Sequence, residues 1–211
     1  MRHSEITDWQ RERVTRKSQA AKKRAANRKM RARAFREHMA ELRQGIGHRA
    51  NFEMLARAHE GLYSNVRGDS PLERLKDLLD DDAELVRAAL SGLRQVPFHA
   101  DLPCVEEIFE LDLKGEAHVI RLPCLVGAQM RFADDRDDFL RLPEFLLKRL
   151  VAFRMTSSVY KTPEWVTAIA TTHPGLFAEV LVECASGLFM ASDRPVPFIA
   201  ALCGDSNYAA F

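Results

Sequence analysis

An all-α fold, an irregular stack of antiparallel helix pairs preceded by a long basic helix, is what this sequence predicts, and three observations predict it. Helix-starting signals, a capping residue followed by proline or a carboxylate, recur along residues 70–174. Residues 8–44 hold neither Pro nor Gly and are dominated by Ala, Arg, Lys, Glu and Gln, all good helix formers. Strand signals are confined to His118-Val119-Ile120, too short to build a sheet.

The first element is the basic helix, ended by Gly45 and Gly47. If continuous over residues 8–44 it would run about 55 Å at 1.5 Å per residue. Ala21, Ala25, Ala32, Phe35, Met39 and Leu42 form a thin apolar stripe, interrupted by Arg28 and strongest near Phe35. A second helix is expected over residues 51–63, with Phe52, Leu55, Ala56, His59 and Leu62 on one face. Ser70-Pro71-Leu72-Glu73 then reads as a capping box with proline at the first helical position, which predicts a helix over 71–79. Asp80, Asp81 and Asp82 favour a further helix N-terminus, where carboxylates meet the positive end of the dipole. Leu85, Val86, Ala89, Leu90 and Leu93 follow at helical spacing.

The same grammar returns four times. Asp101-Leu102-Pro103 opens a helix over 104–113 that Gly115 ends, and Leu122-Pro123 opens an apolar segment to about 132. Thr162-Pro163-Glu164-Trp165 opens one to about 171, and His173-Pro174 a longer one over 175–191. Residues 140–155 are helical by pattern, with Pro143 in the first turn. About eight helices of ten to eighteen residues, joined by short turns, pack as antiparallel neighbours. Gly204-Asp205-Ser206 reads as a stop and a cap before residues 207–211, a helix that never develops, so the chain is expected to be a piece of something longer.

Charge divides the chain. Residues 1–50 hold fifteen Lys or Arg against five Asp or Glu; residues 51–211 hold sixteen against twenty-five. The near-neutral total therefore hides a basic segment, 1–48, ahead of an acidic helical domain, 49–211. At 46% apolar residues the domain can bury a real core. No span approaches the apolar length of a transmembrane helix; the nearest, residues 176–191, is broken by Glu179 and Glu183. No secretory or transit signal opens the chain. Cys104, Cys124, Cys184 and Cys203 form no C-x-x-C pair and sit in apolar runs, which predicts buried reduced thiols and a cytoplasmic setting.

Chemistry is hard to find. The run Asp134, Asp135, Asp137 and Asp138 lacks the glycine and distal Glu of a calcium loop and reads as a solvated cap. The seven histidines form no metal-binding pattern, Ser157 and Ser158 lack a nucleophile elbow, and no phosphate loop is present. Trp165 reads as a core anchor. No cofactor and no catalytic residue is expected. Lys22, Lys23, Arg24, Arg28, Lys29, Arg31 and Arg33 could contact several phosphates, making residues 11–36 a candidate nucleic-acid surface. With only Trp9 and Phe35 as aromatics near it, base stacking is not favoured. The better reading of the same helix is docking on a protein partner or on the acidic remainder of a longer chain, with a plain solvated spacer helix as the further alternative.

The segments Gly68-Asp69-Ser70-Pro71-Leu72-Glu73-Arg74-Leu75, Asp101-Leu102-Pro103-Cys104-Val105-Glu106-Glu107-Ile108, Leu122-Pro123-Cys124-Leu125-Val126-Gly127 and Pro174-Gly175-Leu176-Phe177-Ala178-Glu179-Val180-Leu181 resemble the helical-repeat region of large bacterial NACHT-type NTPase proteins associated with phage defence. The likeness covers residues 50–211 and rests on packing and capping motifs. It implies a sensing or scaffold region, because the ATP-hydrolysing site of such proteins lies in a separate domain and no residue here matches it. The expected function is a non-catalytic scaffold that binds another protein or another part of a longer chain; the alternative is nucleic-acid binding through the basic helix.

Overall fold

The computed structural model describes residues 2–99, 101–157 and 162–191, and among them every regular element is helical. The basic helix α1 spans Arg2–Glu37 and is followed by the short α2, Met39–Arg43. The break corrects the expected continuous helix. At His38 the backbone opens to φ −120°, and its N–H reaches back only to the Phe35 carbonyl, at 3.2 Å. Good helix formers run through this point, so tertiary packing bends the chain there: α2 is turned onto a later helix, and Leu42 is buried.

The remaining elements are α3 (Arg49–His59), α4 (Pro71–Leu78), α5 (Ala83–Gln95), a single 3-10 turn (Val96–Phe98), α6 (Val105–Leu113), α7 (Arg121–Asp134), α8 (Arg136–Leu140), α9 (Glu144–Met155), α10 (Glu164–Thr172) and α11 (Pro174–Ala191). Several are shorter than the ten residues expected. The predicted caps of α4, α5 and α8 are present, whereas the cap position of α6 is Cys104 rather than Asp101 and that of α10 is Pro163, without a side-chain cap. Ser70 Oγ accepts from the Glu73 N–H at 3.2 Å, and the Glu73 carboxylate accepts from the N–H groups of Asp69 and Ser70. Asp82 Oδ1 accepts from Glu84 and Leu85 at 3.1 Å each. Asp135 caps α8 through the Asp138 N–H at 2.9 Å, while Asp134 pairs with Arg94 and Asp138 with Arg131. The acidic run is therefore a cap and a set of ion pairs, as its composition suggests. His118-Val119-Ile120 lies in the turn before α7.

The second helix ends four residues earlier than expected. Gly61 adopts φ +74°, the Gly61 N–H bonds to Ala58 O and the Leu62 N–H to Arg57 O, which together close the helix in a Schellman motif. Leu62 is consequently 60% exposed rather than part of the core face, whereas Phe52, Leu55 and Ala56 are buried and His59 is half-buried.

Helices α3, α5, α7, α9 and α11 form a row in which each touches the next, with α4, α6, α8 and α10 flanking it. This is a helical-repeat-like arrangement of irregular helices. One continuous core runs along the row, from Phe52, Leu55 and Leu75 through Leu93, Cys124 and Phe153 to Trp165, Phe177 and Cys184. Trp165 is fully buried and packs edge-on to Phe139, with ring centres 6.1 Å apart. Ala32, Phe35 and Leu42 join the same core from the basic segment. Cys124 and Cys184 are buried free thiols and Cys104 is half-buried; Cys203, Ser158 and the expected C-terminal turn lie outside the described residues.

Candidate functional site: the basic helix and its root

From Arg13 to Arg36 the chain carries eleven Lys or Arg and no carboxylate. In an α-helix this places like charges at i, i+4 (Arg13 and Lys17, Arg24 and Arg28, Lys29 and Arg33), each such pair costing a few tenths of a kcal/mol. The helix divides into two parts by what surrounds it. Residues 12–24 are all exposed, as are Trp9 and Gln10, so this arm gains nothing from burial. Its aromatic residue, Trp9, is 60% exposed and lies under the guanidinium of Arg13, 5.3 Å from the ring centre.

The root, residues 28–43, is tied to the acidic edge of α4 and α5. Arg28 pairs with Asp77 and Arg36 with Asp82, and Arg43 approaches Glu84 at 3.6 Å. The Arg36 guanidinium, then the N–H groups of α5, hold the Asp82 carboxyl below the usual carboxylate range, and Asp82 in turn raises Arg36. Arg28, which breaks the apolar stripe in sequence, is thus neutralised by Asp77 where the helix meets the domain. Beneath these pairs Ala32, Phe35 and Leu42 are buried and Met39 is partly covered, whereas Ala25 is half-exposed and Ala21 exposed. The stripe is a docking face only in its C-terminal half.

The seven sequence-predicted cations separate at this junction. Lys23, Arg24, Arg28 and Arg31 line a cleft of about 470 Å³ between α1, the 63–67 segment and α4, together with Arg67, Tyr63, Asn27, Asn65 and Asp77. Lys22, Lys29 and Arg33, seven and four residues apart, share the opposite side of the helix and face away from the cleft. Arg33 is engaged by Glu37 at 3.2 Å, one turn on. Arg67, Tyr63 and Asn65 carry no pattern visible in sequence; they come to the site through the fold of the loop after α3.

Other displaced groups have structural causes. Burial raises the Cys124 thiol and pushes Cys184 up to about 12, so neither is a ready thiolate. Burial, and then Arg49, lower His118. The ring of His173 lies 2.8 Å from the Leu140 carbonyl, joining two turns. Among the described residues no cluster of His, Cys, Asp or Glu could hold a metal ion, and no helix is long and apolar enough to cross a membrane. No protein-family model, curated protein or solved structure matches the chain.

Proposed function

We propose that the protein is a non-catalytic helical scaffold whose basic helix is the contact element for an acidic protein surface, on a separate chain or on another segment of a longer one. The observation that carries this reading is the exposed arm of α1, which from Arg13 onward carries no carboxylate. A helix that is polar on every side and rich in like charge is weak alone. An acidic surface would stabilise it by relieving that repulsion, and the root already does so on a small scale through Asp77, Asp82 and Glu84.

Most of the ionisable groups displaced from their ordinary range cap helices, close ion pairs or are buried thiols, and His118 and Glu183 are displaced chiefly by burial, which supports a structural role for them. A non-catalytic role is the one that the resemblance to the helical part of NACHT-type proteins implies. A reducing, cytoplasmic setting suits the buried free thiols.

A photo-reactive side chain introduced at position 29, on the outward side of α1, tests the reading in cells. Capture of an acidic protein, lost on deletion of residues 2–19, is the expected result. A second reading, nucleic-acid binding, is favoured by the same uninterrupted cationic stretch; a nucleic-acid adduct would transfer the function to it. In that case affinity for a duplex should fall with salt at a slope of about −0.9 per phosphate neutralised. Absence of any adduct would refute both.

A further inference from the structure

We propose that the cleft at the root of α1 binds a compact, multiply charged phosphate ligand, of the nucleoside triphosphate or inositol polyphosphate kind. This site shares Lys23 and Arg24 with the end of the arm but rests on different observations.

The first observation is charge. Five cations, Lys23, Arg24, Arg28, Arg31 and Arg67, border one cleft that holds a single carboxylate, Asp77. Asp77 is already engaged, since it pairs with Arg28 and its Oδ2 accepts from the Arg67 N–H at 3.0 Å. Four cationic side chains therefore share the space uncompensated. Walls of low polarisability on the domain side focus their field into the cleft.

The second observation is the state of the arginines. Arg31 donates from Nη1 to the Tyr63 hydroxyl at 3.3 Å, and its guanidinium carbon sits 5.8 Å from that ring centre. Arg24 is steadied by a bond from Nε to the Ala20 carbonyl at 3.3 Å, which leaves its terminal nitrogens available. The Nε atoms of Arg28 and Arg31 are buried and donate to no acceptor among the described residues. Burial of these stems fixes both guanidinium groups at the wall of the cleft. Guanidinium forks held in place match phosphate oxygens two at a time.

The third observation is size. About 470 Å³ bounded by α1, the 63–67 segment and α4 suits a small molecule. A nucleic-acid backbone would instead follow a track of cations along the helix, and Lys22, Lys29 and Arg33 are turned away from this cleft. Asn27 and Asn65 add neutral donors and acceptors to its lining.

Calorimetric titration of the full chain with inorganic tripolyphosphate tests the proposal, followed by a nucleoside triphosphate and inositol hexakisphosphate as separate arms. Saturable one-to-one binding is expected, and the tighter of the two arms assigns the ligand type. The double variant Arg31→Gln with Arg67→Gln should weaken tripolyphosphate at least about tenfold. The pair Lys22→Gln with Lys29→Gln removes the same charge from the far side and should change it less than about threefold. Should Arg31→Gln impair folding, the exposed pair Lys23→Gln with Arg67→Gln replaces it. Equal weakening by near and far pairs, multisite binding without saturation, or tighter binding of a single-stranded oligonucleotide than of either arm would overturn the proposal. Deleting residues 2–19 should leave tripolyphosphate affinity unchanged, so loss of the arm's partner and loss of this site are separable.

Discussion

Replacing Gly92 by alanine should detach α2, and with it the root of the basic helix. Gly92 lies within α5 where α2 crosses it, and an added Cβ would stand 1.9 Å from the Leu42 carbonyl oxygen and 3.1 Å from Phe52 Cε1. The nearer atom is backbone, so no rotamer relieves the clash. An ordinary carbon–oxygen contact is about 3.3 Å, so α2 must retreat by more than about 1 Å. A gap of that size forfeits a quarter to a half of the dispersion attraction across it. Leu42, 4% exposed, would surrender most of its burial, worth about 1.5–3 kcal/mol, and residual overpacking adds about 1–3. Against this stands the helix-propensity gain of about 1 kcal/mol for Gly to Ala. The net expectation is a loss of about 1.5–5 kcal/mol, read as a lower urea midpoint by far-UV circular dichroism. Gly187 in α11 supplies the matched control: among the described residues its Cβ would meet only Leu113 Cδ1, at 3.6 Å. Gly187→Ala should therefore gain about 0.5–1 kcal/mol. A Gly92→Ala midpoint at or above that of the unmodified chain would refute the packing argument.

Ser70→Ala should cost about 1 kcal/mol by opening the capping box of α4, checked by the same denaturation. Phe139→Ala should cost about 3–5 kcal/mol, because Phe139 is 1% exposed and packs edge-on against Phe132 and Trp165. Stability should fall as the solution is acidified, in two windows. His118 is lowered by burial, so the unfolded chain takes up the proton first and stability starts to drop as pH falls through about 6.5. Asp82, Asp134 and Glu73 are held below their ordinary values by Arg36, by Arg94 and by the N–H groups of Asp69 and Ser70 respectively. Their contribution is complete above about pH 5 and is lost as pH falls through the unfolded and then the folded values. A urea midpoint that stays flat from pH 8 to pH 3 would contradict both assignments.

Most helix starts were legible in the sequence because capping is local. Ser70 and Glu73, Asp82 with Leu85, and Asp135 with Asp138 satisfy one another within three residues, so composition alone places them. The fold class and the burial of Trp165 were legible from the same short-range signals and the polarised charge from composition, whereas the stripe through Phe35 and Leu42 was visible but not what covers it. What sequence did not specify was every feature that joins distant residues. The bend at His38 exists because α2 must reach α5, and Gly92 is required there by a backbone fifty residues upstream, not by its own helix. Leu62 leaves the core because Gly61 closes α3 before the apolar period runs out. The basic helix was recognisable as charge, but its division was not: Arg28 and Asp77 meet across forty-nine residues, and Arg67 and Tyr63 are carried to the cleft by a loop. Helix signals act over one turn and are written in adjacent residues, whereas surfaces and clefts are made by approaches between elements, which only the packed chain determines.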